Sequence, residues 1–132
     1  MSRIAYVNGS YLPHREAAIS IDDRGYQFGD GVYEVVYIID GLMVDEGPHL
    51  DRLERSLSEM AMAMPVSRDV LRMIMARVVR LNGVRNGLVY LQITRGVAKR
   101  DHKWTSTLKP ALVITAKNAL KSVPKEIAAV PV

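Results

Sequence analysis

The period of the apolar residues changes twice along this chain, and that alone excludes most architectures. Residues 32 to 39 read VYEVVYII, rich in the β-branched and aromatic residues that suit a pleated surface. After Gly47-Pro48 the period becomes helical. Leu50, Leu53, Leu57 and Met60 fall on one face, and beyond Pro65 a second stripe runs through Leu71, Ile74, Met75, Val78 and Leu81. Strand character then returns in Leu88 to Thr94 (LVYLQIT) and in Ala111 to Ala116 (ALVITA). Two helices adjacent in sequence, bracketed by strands, predict an α+β fold in which the helices pair as a hairpin on one sheet face.

Turn chemistry makes the sheet mostly antiparallel. Ile4 to Val7 runs into Asn8-Gly9, which favours a two-residue hairpin, with Tyr11-Leu12 returning to Pro13. Asp40-Gly41 gives a second hairpin returning through Leu42 to Val44. Ile19 and Ile21 alternate with polar residues and predict a short strand between these hairpins, so the helix pair follows a fifth strand. The helices are expected over Pro48 to Met62 and Arg68 to Asn82, with Ser67 as N-cap of the second. Met60, Met62, Met64, Met73 and Met75 are expected as core filler. One domain is expected over residues 1–120. The apolar PKEIAAVPV, Pro124 to Val132, is expected to lie within a linker or strand, 121–132, leading to a further C-terminal domain.

Composition removes several function classes. The chain has no cysteine, so disulfides, thiolate zinc sites and cysteine nucleophiles are out. No apolar run approaches the ~20 residues of a membrane span, and no signal peptide is readable. A cytoplasmic protein with no membrane partner is the expectation. The net charge of +4 is scattered. Lys117, Lys121 and Lys125 form a loose basic run without interleaved aromatics and read as a solvated face, not a nucleic-acid surface.

Three places carry residues suited to chemistry. Asp22 to Glu34 reads DDRGYQFGDGVYE, a glycine-rich bend feeding a strand; its order is not that of a nucleotide cradle. Tyr33 falls at the mouth of that strand, and on physical grounds alone a core tyrosine with its hydroxyl at the edge is preferred. Arg52 lies near the start of the first long helix, where a guanidinium and helix dipole together suit phosphate. By itself, however, a surface arginine mixed with Asp51 and Glu54 is the preferred reading. The long segment after Thr94 holds Arg95, Lys99, Arg100, His102, Lys103 and Trp104, which reads as an anion-binding surface or as a solvated basic loop. His14, His49 and His102 show no metal-ligand spacing.

The stretch DDRGYQFGDGVYEVV, then HLDRLERS, then ITRG followed by Arg100-Asp101-His102 resembles the class IV pyridoxal-phosphate-dependent aminotransferases. Within them it is most similar to the D-amino-acid aminotransferase branch, and the likeness covers nearly the whole chain. The resemblance implies the small N-terminal α+β domain of that fold and transfer of an amino group from a D-amino acid to a 2-oxo acid. It implies that Arg52 binds the cofactor's phosphate. Tyr33, Arg100 and His102 would hold the substrate's α-carboxylate, the last two reaching into a neighbouring subunit of a homodimer. The family's Schiff-base lysine and its main phosphate-binding loop correspond to positions beyond residue 132, so the chain alone is expected to be inactive. Branched-chain aminotransferase and aminodeoxychorismate lyase are the alternatives within the fold, and Arg100-Asp101-His102 argues against both. A free-standing anion- or nucleic-acid-binding module is the alternative of another class.

Overall fold

The computed structural model describes residues 3–119. Among them, β1 (Ile4–Val7), β2 (Ser10–Pro13), β3 (Gly31–Ile39), β4 (Leu42–Met43), β5 (Gly87–Thr94) and β6 (Ala111–Asn118) make one sheet in the order β2-β1-β6-β5-β3-β4. Every pairing is antiparallel. The fold is α+β, as the change of period predicts. Both expected hairpin turns form: Asn8 and Gly9 have φ of 46° and 103°, and Asp40 and Gly41 have 52° and 80°. Positive φ at both central residues gives the turn the twist that matches its strands.

Two long helices, α2 (Glu46–Glu59) and α3 (Arg68–Leu81), lie on one face of the sheet. Leu50, Leu53, Leu57, Leu71, Met75 and Val78 pack onto Val36, Ile38, Val89, Leu91, Ile93 and Ile114. Emptying such a site, as in Leu53→Ala, costs about 2–5 kcal/mol. Pro48 sits in the first turn of α2, where its missing N–H has no intrahelical role. Ser67 caps α3 by accepting from Val70 N–H at 3.2 Å. At its far end Asn82 accepts from Ile4 N–H and donates to the Ile4 carbonyl, tying α3 to β1. Met62 and Met75 are buried and Met60 and Met64 pack against the core, as expected, but Met73 faces solvent.

Two local readings change. The expected strand at Ile19 and Ile21 is absent: both side chains are exposed, Ile21 at 75%. Ser20 instead closes a turn through its hydroxyl and carbonyl, which accept from the N–H groups of Asp22 and Asp23. With no strand alongside, alternation has nothing to pair with, and the helix pair follows the fourth strand. The glycine-rich bend contains a short helix, α1 (Arg24–Phe28), capped by Asp23 and ended by Gly29 at φ 65°. Gly25 is required there, because a Cβ would collide with the Thr94 side chain. The expectation for 121–132, and those for Lys121 and Lys125, lie outside the described residues; Lys117 is an exposed residue of β6.

Candidate functional site

The site is built on the free edge of β3. β4 pairs only with Ile38 and Ile39, so among the described residues the strand has no partner on that side over its first half. Val44 N–H bonds the Tyr37 carbonyl on this side. By the two-residue period of a strand, the backbone groups of Val35 and Tyr33 face the same open edge. There Tyr33, Glu34, Val35, Arg52 and Ser56 line a cleft of about 500 Å³. Tyr33 is 64% exposed, so the preference for a core tyrosine fails. Its ring leans on Tyr90, 5.8 Å between centroids, and its hydroxyl is left to solvent.

Arg52 lies deeper in α2 than a position at the helix start, on the side facing the strand edge. It does not mix with Asp51 and Glu54, which pair with Arg68 instead. Its Nε and Nη2 donate to the two oxygens of Glu34 at 2.9 and 2.8 Å. Glu34 is 4% exposed and also accepts from His49 Nδ1 at 2.7 Å. An ionised carboxylate only accepts, so His49 Nδ1 carries the proton. Burial pushes the Glu34 carboxyl up, but Arg52 and His49 outweigh it and hold it below the usual carboxylate range. The arginine side chain stays about half exposed. Its Nη1 has no acceptor among the described residues, so it can serve an anion in the cleft. Arg52 and the Ser56 hydroxyl are donors that fit one end of a phosphate ester, and the Tyr33 phenol is a separate neutral donor on the same cleft.

A second carboxylate cluster lies at the N-terminal end of β3. Asp30 Oδ2 accepts from Arg24 Nε and Arg95 Nε, both at 2.8 Å. Burial again raises the carboxyl, and Arg95 and Arg24 together bring it below its ordinary value. Arg95 therefore does not belong to the basic surface expected of its loop. It is 5% exposed, donates to the Met60 carbonyl at 2.9 Å and stacks on Trp104 at 3.7 Å. Arg100 and His102 are exposed on that loop and converge on Phe28, 5.2 and 5.4 Å from its ring centroid. The structure thus brings together Tyr33 with Arg52, and Arg100 with His102. Among the described residues no contact joins the two pairs. The sequence reading missed Glu34 and His49; a charged residue on the inward parity of an otherwise apolar strand was the available signal.

The family model for amino-transferase class IV matches residues 31–130. D-alanine aminotransferase of Staphylococcus haemolyticus is 36% identical over 86% of this chain and 40% of its own length. That of Listeria monocytogenes serotype 4b (strain F2365) is 39% identical over 90% and 41%. The solved branched-chain amino acid aminotransferase of Escherichia coli superposes with a TM-score of 0.83 at 17% identity, covering 90% of this chain and 40% of that one. The T.th. branched-chain enzyme with pyridoxamine 5'-phosphate gives 0.84 at 18%, covering 96% and 43%. The antiparallel sheet with its helix pair is therefore the fold of a domain found in aminotransferases. The chain belongs to the class IV aminotransferase family, and it spans about two fifths of the length of these curated relatives.

Proposed function

We propose that this chain is the N-terminal domain of a pyridoxal-phosphate-dependent aminotransferase that moves the amino group of a D-amino acid to a 2-oxo acid. The observation that carries the reading is the cleft at the β3 edge. There Arg52 is aimed by Glu34 and leaves one donor arm free beside Tyr33 and Ser56. Arg52 holds the phosphate, and Tyr33 donates its hydroxyl to the substrate's carboxylate at the cleft mouth. Pyridoxal phosphate, when bound, supplies the electron sink. Arg100 and His102 lie over Phe28 and are not among the residues lining the cleft of their own chain. This placement supports a homodimer in which each copy offers the pair to its neighbour's substrate. The D-amino acid assignment rests on the Arg100-Asp101-His102 pattern and on D-alanine aminotransferase relatives at 36 and 39% identity. The branched-chain neighbours share the fold at under 20% identity and carry no substrate argument.

The test uses the complete enzyme. Arg52→Ala should weaken binding of pyridoxal phosphate by about tenfold or more, the loss of one charge-assisted contact, and leave binding of unphosphorylated pyridoxal unchanged. Equal loss for both compounds would remove Arg52 from the phosphate. Turnover of L-alanine in preference to D-alanine would remove the D-amino acid assignment and leave the family.

A further inference from the structure

Arg24 is buried, charged and bonded in a way that the proposed chemistry does not use. Its Nε is fixed by Asp30. The other end of the guanidinium crosses to the loop after β5. Nη1 donates to the Asp101 carbonyl at 2.5 Å and Nη2 to the His102 carbonyl at 3.4 Å. These carbonyls belong to the two residues directly after Arg100. The same guanidinium lies 4.6 Å from the centre of the Phe28 ring, and that ring is the floor under Arg100 and His102. The base of the loop is tied to the same segment of chain: Arg24 N–H bonds the Gly96 carbonyl and Ala98 N–H bonds the Asp22 carbonyl. Arg95, held by the same Asp30 oxygen, stacks on Trp104 on the far side of the loop.

We propose that Arg24 is the positioning residue for the Arg100–His102 pair, with Asp30 as the fixed end of the strut and Phe28 as its platform. Arg24 never touches the substrate. It clamps the peptide carbonyls of Asp101 and His102, so that both side chains leave the backbone over one ring. A carboxylate then meets donors already in place and does not have to order them, which lowers the cost of binding. This inference rests on the reading that Arg100 and His102 take the carboxylate, and the test separates the two claims.

Two variants of the complete enzyme are compared: Arg24→Gln, which loses the charge and the fork, and Arg24→Lys, which keeps a cation for Asp30 but cannot reach two carbonyls. The first readout is trypsin cleavage after Lys99, Arg100 and Lys103 under native conditions. Cleavage should accelerate by about tenfold or more in Arg24→Gln, as expected when charge-assisted bonds no longer close the loop, and by less in Arg24→Lys. The second readout is steady-state kinetics. KM for D-alanine should rise by about tenfold or more with a smaller change in kcat, and turnover of an amine lacking a carboxylate should not change. A variant damaged only in folding would instead lose kcat in proportion to active enzyme, with KM unchanged and the amine equally affected; that result overturns the proposal. So does wild-type cleavage in both variants. Faster cleavage with KM for D-alanine unchanged keeps Arg24 as the anchor of the loop and removes Arg100 and His102 from the carboxylate. If Arg24→Gln does not fold, the ordering of Arg24→Lys against wild type in both readouts decides.

Discussion

Glu34 and Asp30 are two inward carboxylates four residues apart at one end of β3, each meeting two basic side chains, yet they are built for different work. Around Asp30 both guanidiniums are sealed: Arg24 and Arg95 are each 5% exposed, and their remaining donors end on backbone carbonyls. Around Glu34 the base is sealed and the top is open. His49 is buried beneath the carboxylate, while Arg52 stands half in solvent with an arm to spare. In the first cluster every bond runs inward and organises chain. In the second the bonds point a cation outward. A closed cluster is a joint, and a half-open one leaves a donor available to a ligand.

Removing the carboxylates should separate the two most strongly. Asp30→Ala leaves two desolvated guanidiniums without a counter-charge, so unfolding free energy should fall by about 3–5 kcal/mol, measured by urea titration. Glu34→Ala should cost less, about 1–3 kcal/mol, because Arg52 can turn into water and His49 is left as the stranded partner. Equal losses would break the comparison, since they would mean that Arg52 is as confined as Arg24.

Acid should act in the same direction and more gently, because a protonated carboxyl still accepts hydrogen bonds. Both carboxyls are held below their ordinary values in the folded chain. A carboxyl depressed on folding adds stability that is complete above its unfolded value, about 4, and is lost as pH falls through the lower folded value. Unfolding free energy should therefore be flat through neutral pH and decline below about pH 4. Glu34→Gln and Asp30→Asn should each shallow that decline. A decline of unchanged slope in both variants would place the acid sensitivity elsewhere.

The division between the clusters also marks how far the sequence could be read. β3, β5, β6 and the paired helices α2 and α3 were legible because their periods are local and the residues that set them are neighbours in the chain. The same was true of the Asn8-Gly9 and Asp40-Gly41 turns, whose φ angles are decided by two residues. α1 was not legible. Its start depends on Asp23, which also accepts from the Thr94 hydroxyl, and its packing depends on Gly25 lying against that same threonine. Arg95 looked like one cation among several in a basic loop, because its partner Asp30 is 65 residues away in sequence. Tyr33 and Arg52 stand out in the sequence, but only family resemblance implies roles for them; the open strand edge that joins them arises because β4 is only two residues long and covers just the end of β3. Contacts across the fold decide which charges are joints and which are free, and a single sequence carries little of that information.

The smallest effect on stability should come from Arg100, and it bears most directly on the comparison. Its guanidinium is exposed and rests 5.2 Å from the Phe28 ring; an exposed contact of that kind contributes about 0.5–1 kcal/mol. Arg100→Ala should therefore move the urea midpoint by little, less than either carboxylate variant. If the cation is held in readiness for a substrate carboxylate, the same variant of the complete enzyme should lose kcat/KM for D-alanine by a factor of ~30 to several thousand, the range expected for a desolvated charged contact. Arg52 and Arg100 would then be the two outward cations, each aimed by a buried arrangement that has no contact with the ligand: Glu34 for the one, Arg24 on Asp30 for the other. A variant that loses stability on the scale of Glu34→Ala while keeping D-alanine turnover would put Arg100 with Arg24 and Arg95, as part of the joint and not of the site.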